Sequence, residues 1–439
     1  MIFIQKLSNL NIKSLLKHFF IVFALFIFTF LFFLAVDKNR TINSKIYDNY
    51  LKLRLYIKGK QYIDYKIVHV DIDETIYKKS GIYSERLVYA KILDNLKKIK
   101  PAYTFVDTIF TDLKKSDDDL TLADSIKDFD NLYFPVIFIP EILDNKIIPN
   151  FDTYVEFDLR KYLQIPKINY NGYPYNFDQI ILNYTKLQTN IKNIGHNYII
   201  PDKDGVIRKV PLYIKYKGLY APMSSFKIAA DYFDVSSENI EINYGKNIIL
   251  KEARVSEGVF KNIKIPIDNK GNMFLNYPSE SKNSFIRYSA YNFLDDKYIE
   301  KLSSELKGNI VILSENDAFN SKYYSTPYDN FFQLSGVHSV LINSILNEKF
   351  IYNPSYFIYF LVYIIIIMIY SVFSRYFNIN KLIVFSIIMI GSIIFFSLSL
   401  FILFNIYFDI FIIVVTIEIS AVLLTLYKYS NVKFNNLLL

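Results

Sequence analysis

Hydrophobic positions gather into four long runs around one long polar block. One run lies near the amino end, 19–36, and three crowd the last quarter, 356–374, 382–403 and 406–426. A bilayer core takes a helix of about 20 apolar residues, and each run comes within a residue or two of that. Four transmembrane helices are therefore expected, with a stretch of globular character, 37–355, long enough for one large or two small domains. A folded domain held to a membrane at both ends is the layout of a receptor or sensor.

Finer periodicities organise the polar block. Ile46, Tyr50, Leu53 and Ile57 recur at helical spacing, so the first membrane helix is expected to continue as an amphipathic stalk over 41–58. The short apolar run Ile67–Asp73 suits a buried strand whose carboxyl end carries acids. Helical spacing follows over Arg86–Ile99, ended by Pro101. Tyr103–Phe110 and Asn131–Ile139 read as further strands around a helix at Asp117–Ile126, whose first turn carries acids as the helix dipole favours. Alternating strands and helices predict an α/β domain with a mostly parallel sheet and flanking helices. The stretch 140–193, rich in Tyr, Asn and Pro, reads as a long irregular insertion. Beyond it, Asp204-Gly205 predicts a hairpin turn with Val206–Lys215 as the returning strand. A helix is expected over Met223–Phe233, and strands over Asn272–Tyr277 and Ile310–Leu313. A last helix, Gly336–Leu346, precedes the membrane.

Charge orients this layout. Lys6, Lys13 and Lys17 precede the first run, Arg375 and Lys381 flank the loop between the second and third, and Lys428 and Lys433 follow the fourth. The link 405–409 between the third and fourth runs holds no base. Short basic loops stay cytoplasmic, so both termini, 1–18 and 427–439, are expected inside and the large domain outside, extracellular or periplasmic, on a bacterial inner membrane. No small-residue cleavage site follows the first run, so it is expected to remain as an uncleaved helix. The formal net charge of +8 is mostly these flanks: they hold seven of the 50 Lys and Arg, while Asp409 and Glu418 in the last run are two of the 42 acids. The outer block is near balance, which disfavours nucleic acid as a partner. The absence of cysteine excludes disulfides and thiolate metal sites.

Motifs in order along the outer block are Tyr47-Asp48 with Leu53-Arg54, Val70-Asp71-Ile72-Asp73, Arg86 with Tyr89-Ala90, and Val106-Asp107 with Phe110. Asp119 with Leu122-Ala123, Gly195 with Asn197, Asp204-Gly205-Val206 with Arg208, and Pro211-Leu212 follow. Then come Ala221-Pro222-Met223-Ser224, Asp268 with Gly271, Asn276-Tyr277, Thr326-Pro327 and Gly336-Val337-His338. In this order, over about residues 45–345, the chain resembles the second type of CHASE domain, an extracellular sensor associated with cyclases and histidine kinases. Three closing membrane helices are usual there. Two departures stand out: Lys322 lies where an acid is expected before Thr326, and Pro278 follows Asn276-Tyr277 in place of Arg or Gly. The resemblance implies a sensor that passes an unknown stimulus, a ligand or a protein, to a cytoplasmic signalling enzyme. Relatives usually continue into a catalytic output, whereas this sequence stops about a dozen residues after its last run. The expectation is therefore a non-enzymatic sensor with a separate partner; the alternatives are an output-less relative of a cyclase or kinase and an envelope scaffold. Sensors of this layout often pair, so a homodimer is a further expectation.

Acids at the carboxyl ends of parallel strands lie where α/β sheets bind ligands. Asp71, Asp73, Asp107 and Arg86 are thus the candidate ligand site; the alternative is that Asp73 and Asp107 accept backbone N–H groups and pair with Arg86, fixing loops. Asp71-x-Asp73 also fits the opening of a haloacid-dehalogenase-like phosphatase, though the Lys and second acidic pair such an enzyme needs are not recognisable. Asp204-Gly205 with Arg208 reads as a turn held by an ion pair, and Tyr47, Asp48, Thr326, Pro327 and Gly336 as structural motif positions. Histidines 18, 69, 196 and 338 show no metal-ligand spacing, and no cofactor is expected. Glu418 is the odd residue in the membrane. An ionised group there costs at least about 2.5 kcal/mol, so it is expected to face the helix bundle and bond a serine of the third run, or to meet a signalling partner.

Overall fold

The computed structural model describes residues 12–36, 41–82, 84–114, 116–140, 159, 162–163, 166–170, 172–280, 284–316 and 323–437. Contacts divide the chain into two units, Leu55–Ile351 on one hand and Met1–Arg54 with Tyr352–Leu439 on the other.

Helices α1 (Ile12–Val36) and α2 (Thr41–Lys58) open the chain, and the division between units falls inside α2. The globular unit then alternates β1 (Ile67–Ile72), α3 (Glu74–Lys79), α4 (Glu85–Ile99), β2 (Tyr103–Val106), α5 (Ser116–Ser125) and β3 (Leu132–Pro140). Helix α4 turns one apolar face inward through Val88, Ile92, Leu93, Leu96 and Ile99. It ends where Lys100 takes a left-handed conformation, φ 61°, just before Pro101. The chain continues through β4 (Lys167–Tyr170), β5 (Asn176–Ile181), α6 (Thr185–Gln188), β6 (Asn193–His196), β7 (Lys209–Pro211), β8 (Tyr213–Tyr216), β9 (Leu219–Pro222) and α7 (Ser224–Tyr232). After β10 (Ile240–Asn243), β11 (Asn247–Ser256), β12 (Val259–Pro266), β13 (Asn272–Phe274) and β14 (Ile286–Ser289) come α8 (Ile299–Leu306), β15 (Ile310–Glu315), β16 (Tyr323–Tyr324), β17 (Phe332–Gln333) and α9 (Leu334–Leu346).

Nine strands form the main sheet, in the order β14-β1-β15-β2-β3-β5-β8-β9, with β6 also paired to β3. Its centre is parallel: β1 runs alongside β14 and β15, β15 alongside β2, and β2 alongside β3. Strands β3 and β5 pair antiparallel, as do β8 and β9, so the sheet is mixed towards that edge. Every residue of β1 is buried, the pattern of a strand covered on both faces. Alternate side chains feed two separate cores. Val68, Val70, Val106, Val311 and Leu313 join α4, α5 and α8 on one face. Ile67, Phe105, Ile310 and Ile312 join α7 and α9 on the other. Each such fully buried Val, Leu or Ile contributes about 1.5–3 kcal/mol of transfer free energy.

Two expectations are corrected here. The stretch 140–193 is not devoid of regular structure: β4, β5 and α6 lie in it, and β5 joins the main sheet, while 141–158 lies outside the described residues. The expected hairpin at Asp204-Gly205 is a tight turn only. Gly205, at φ 81°, donates its N–H to the Asp202 carbonyl, but Val206 bridges Ser325 and β7 pairs with β13. A sheet of β12, β11, β10 and β4 was not anticipated at all.

The other unit contains α10 (Tyr356–Tyr376), α11 (Ile379–Phe404) and α12 (Phe411–Leu437). Among the described residues, three helices are long and apolar enough to cross a membrane: 357–376 in α10, all of α11, and 411–430 in α12. Large apolar side chains such as Ile387, Phe395 and Phe396 point outward, as lipid-facing side chains do. In α1 the described apolar stretch, His18–Thr29, falls short of a full span. Phe26 of α1 meets Tyr370 of α10 with ring centroids 6.1 Å apart.

Candidate functional site

The four residues expected to line one pocket occupy four different settings. Asp71, buried in β1, accepts two hydrogen bonds from Arg287 Nη1 at 2.9 and 2.8 Å and one from Asn316 Nδ2 at 2.9 Å. Arg287, on neighbouring β14, also donates to Gln333 Oε1 at 2.6 Å, so Asp71 ties the end of β1 to the segment before α9. Asp73 is the N-cap of α3: its Oδ1 accepts the Thr75 N–H at 2.9 Å, which satisfies one of the open donors of that helix end. Arg86 projects from the first turn of α4 but reaches neither Asp73 nor Asp107. Its Nε donates to Asp119 Oδ1 at 3.1 Å and its Nη2 to the Asp112 carbonyl at 2.9 Å, over the Phe110 ring at 4.4 Å. The expected pairing of Arg86 with Asp73 and Asp107 is thereby replaced by a buried Arg86–Asp119 pair that joins α4 to α5. With Asp71 held by Arg287 and Asn316, the resemblance of Asp71-x-Asp73 to a phosphatase motif finds no free nucleophile there.

Asp107 alone lines a cavity. It follows β2, where that strand ends beside β15, and takes its backbone hydrogen bond from its own N–H to the Leu313 carbonyl at 2.9 Å. The cavity encloses about 350 Å³. Asp107, Thr108 and Ile109 border it just after β2, Ser314 and Glu315 from β15, and Ile137 from β3. Asn197 after β6, Glu85 at the start of α4, and Gln333 to Ser335 at the start of α9 complete the wall. No side chain caps α9, and the first N–H groups of a helix have no partner within it. This is the carboxyl edge of a parallel sheet, where α/β domains place their ligands.

The wall carries unused polarity. Ser314 Oγ and Ser335 Oγ are buried, the residues being 3% and 2% exposed, and neither hydroxyl has a hydrogen-bond partner among the described residues. Leaving a buried donor unsatisfied costs about 1–3 kcal/mol, so these two hydroxyls are a cost carried beside the cavity. One turn further along α9, His338 Nε2 also lacks a partner and stands 3.9 Å from Asp107 Oδ1. His338 shares a hydrogen bond with Ser225 Oγ at 3.1 Å through Nδ1, and burial pushes its pKa down to about 3. The imidazole is therefore neutral near pH 7, and its approach to Asp107 is not an ion pair.

The structural motif positions behave differently. Arg208 holds Asp204 by two bonds, Nη1 to Oδ1 at 2.9 Å and Nη2 to Oδ2 at 2.7 Å, and reaches Asp202 Oδ2 at 2.8 Å, which draws the Asp204 carboxyl below its usual range. Thr326 closes a loop by donating both its N–H and its hydroxyl to the Asp329 carbonyl, with Pro327 buried beside it. Gly336 sits under Phe332, whose ring would stand 2.6 Å from an added Cβ. Within the membrane unit, Tyr47 of α2 packs edge-on against Phe401 and Tyr407, and Asp48 lies one residue on. Arg54 of the same helix donates to Asn405 Oδ1 at 2.8 Å above the Phe401 ring.

Glu418 departs from expectation. The buried seam of α12 runs through Ile413, Thr416, Ile417, Ser420 and Leu424. Glu418 is one residue, about 100° of rotation, beyond Ile417, so it faces away from the bundle and bonds no serine. The hydroxyls of Ser386, Ser392 and Ser399 are taken by carbonyls one turn back on their own helix. Among the described residues no three His, Asp or Glu side chains cluster as they would around a metal ion.

A cavity at the strand ends of an α/β domain, in one chain with three helices able to cross a bilayer, defines a membrane protein with a ligand-sized recess in its globular part. The chain belongs to the CHASE2 domain family, whose model matches residues 21–373. The match takes in the whole globular unit and most of α1 and α10, so the family's sensor domain and this protein's membrane helices overlap. No curated protein and no solved structure matches the chain.

Proposed function

We propose that this CHASE2 protein is a multi-pass sensor of the bacterial inner membrane that binds a small polar ligand in the cavity between β2, β15 and the start of α9. The observation that carries the reading is the pair of buried, unpartnered hydroxyls, Ser314 and Ser335, in the cavity wall. Asp107 and the start of α9 give a guest both an acceptor and open backbone donors. In this reading α1 is a fourth span, both termini are cytoplasmic, and the globular unit lies outside. The basic flanks of the spans support that orientation. The reading assigns no reaction to the chain: Asp71 and Asp73, its one catalytic-looking motif, serve an ion pair and a helix cap. Ligand binding biases two arrangements of the domain through unequal affinity for them, and a separate cytoplasmic enzyme receives the outcome.

The test is thermal unfolding of the full chain in lipid nanodiscs across a panel of small polar metabolites and divalent ions. A ligand at a hundredfold excess over its dissociation constant adds about 2.7 kcal/mol to the folded state. The expected result is a hit whose shift is lost in Ser335→Ala and Asp107→Asn and kept in Asp73→Ala. A panel without any shift, or a hit indifferent to Ser335 and Asp107, overturns the reading.

A further inference from the structure

Three helices of the membrane unit meet at Ser374, a fully buried residue near the end of α10. Its hydroxyl shares a hydrogen bond with His18 Nε2 of α1 at 3.0 Å, and its carbonyl accepts one from Lys428 Nζ of α12 at 2.6 Å. Lys428 also donates to the Phe377 carbonyl, so its ammonium brackets Arg375, which lies between those two residues in the chain. The charges of Lys428 and Arg375 both act on the His18 ring, so the two cations converge on one spot. Arg375 Nη1 is buried without a hydrogen-bond partner, and neither cation meets a carboxylate among the described residues. The sequence supplies no counter-ion nearby: 1–18, 375–381 and 427–439 hold seven Lys and Arg and no Asp or Glu. Glu418, the next acid back along α12, is about 15 Å from Lys428 along the axis.

We infer that Arg375 and Lys428 form a binding site for the phosphate of an anionic phospholipid. Carbonyl bonds at a helix C-terminus account for Lys428 by themselves, but not for the buried guanidinium nitrogen left open beside it. A guanidinium stays charged, and its planar fork matches two phosphate oxygens. Lys428 keeps its third N–H for the same group. Depth selects a lipid as the source of that phosphate. The apolar spans of α10 and α12 end at Tyr376 and Ser430, just past the two cations, which is the level of the headgroups. Leu426 and Tyr427, outward-facing beside Lys428, offer acyl chains an apolar wall. A zwitterionic headgroup would bring its own ammonium against two cations, so the preferred lipid carries a net negative charge. The site is independent of the cavity, and of which face of the membrane it lies on.

Native mass spectrometry of the full chain in detergent micelles tests this, with phosphatidylglycerol and phosphatidylcholine of the same acyl chains as probes. Phosphatidylglycerol should bind at least about tenfold more tightly, and Arg375→Gln should remove that advantage, as expected for one strong charge-assisted contact. Lys381→Gln, which removes an exposed base of the same flank, should leave it nearly unchanged. In phosphatidylcholine alone Arg375→Gln should unfold no earlier than the parent chain, because the arginine has no partner there to lose. Equal affinity for the two lipids overturns the proposal, as does an equal loss in Lys381→Gln, which would reduce the site to a diffuse field. Displacement of the lipid by millimolar inorganic phosphate overturns the lipid assignment, and early unfolding of Arg375→Gln in phosphatidylcholine overturns the role given to Arg375.

Discussion

Arg86 and Asp119 show what the buried charges of this domain do. Their side chains are 3% and 2% exposed, and Asp119 also accepts the Lys114 N–H at 2.8 Å through its other oxygen. Removing one partner strands a buried charge, which costs about 3–5 kcal/mol. Arg86→Met, which keeps the stem over Phe110, should therefore lower stability by about that much, measured as the unfolding midpoint of the full chain, and the Arg86→Met/Asp119→Leu pair should regain part of it. His69, His196 and His338 make a second residue-level case. Burial holds His196 and His338 down at about 3 and His69 well below 6.5, with Arg287 and His338 adding to the effect at His69. The folded state keeps these rings neutral while the unfolded chain protonates them, so their contribution is complete above about pH 6.5 and is lost as pH falls from there towards 3. Midpoints measured from pH 7.5 to 5 should fall, and His338→Gln should flatten the slope. At this scale the sequence showed where acids stand but not what they meet. Asp107 was legible as a strand-end acid. Arg287, which neutralises Asp71, lies in a stretch without any motif, and Ser314 and Ser335 matter only because the fold leaves their hydroxyls unpaired.

Elements were legible in proportion to the local strength of their pattern. β1, α4, β2, α5 and β3 stand out because an apolar run or a helical stripe fixes each one alone. β10 and β12 also alternate, as Ile240 and Ile242 around Glu241 and Ile263 and Ile265 around Lys264, and β11 holds the short apolar run Ile248–Leu250, yet each pattern is too short to reveal a sheet made by pairing across sequence. Glycine roles are visible only when elements are docked. Gly195 in β6 lies against α7, where an added Cβ would stand 2.7 Å from the Ser224 backbone nitrogen and Cα. Backbone gives way less readily than a side chain. Gly195→Ala should thus cost about 1–3 kcal/mol, whereas Gly258→Ala, at an open turn with nothing within 4 Å, should lose only what its positive φ of 71° imposes. Comparing the two unfolding midpoints separates overpacking from backbone strain.

For the whole molecule, the membrane runs were the plainest feature of the sequence, and three of them return as spans. Orientation is open to a direct check through single cysteines. Lys203→Cys, on an exposed loop of the globular unit, should react with a membrane-impermeant maleimide on intact cells. Lys381→Cys, at the start of α11, should react only after the membrane is opened; the reverse pattern would invert the proposed topology. The order of the main sheet has a consequence of another kind. β1 and β2 are not neighbours; β15, some 240 residues after β1, fills the place between them, and β14 lies on the far side of β1. In the amino-terminal half of the domain β2, β3, β5 and β6 can already pair, whereas β1 has no partner there. Long-range parallel pairing of this sort is slow to form. During synthesis β1 stays unpaired until β14 has emerged, and its edge and that of β2 stay open to misassembly until β15, ending at residue 315, joins them. The timing of biogenesis is thus written into the strand order.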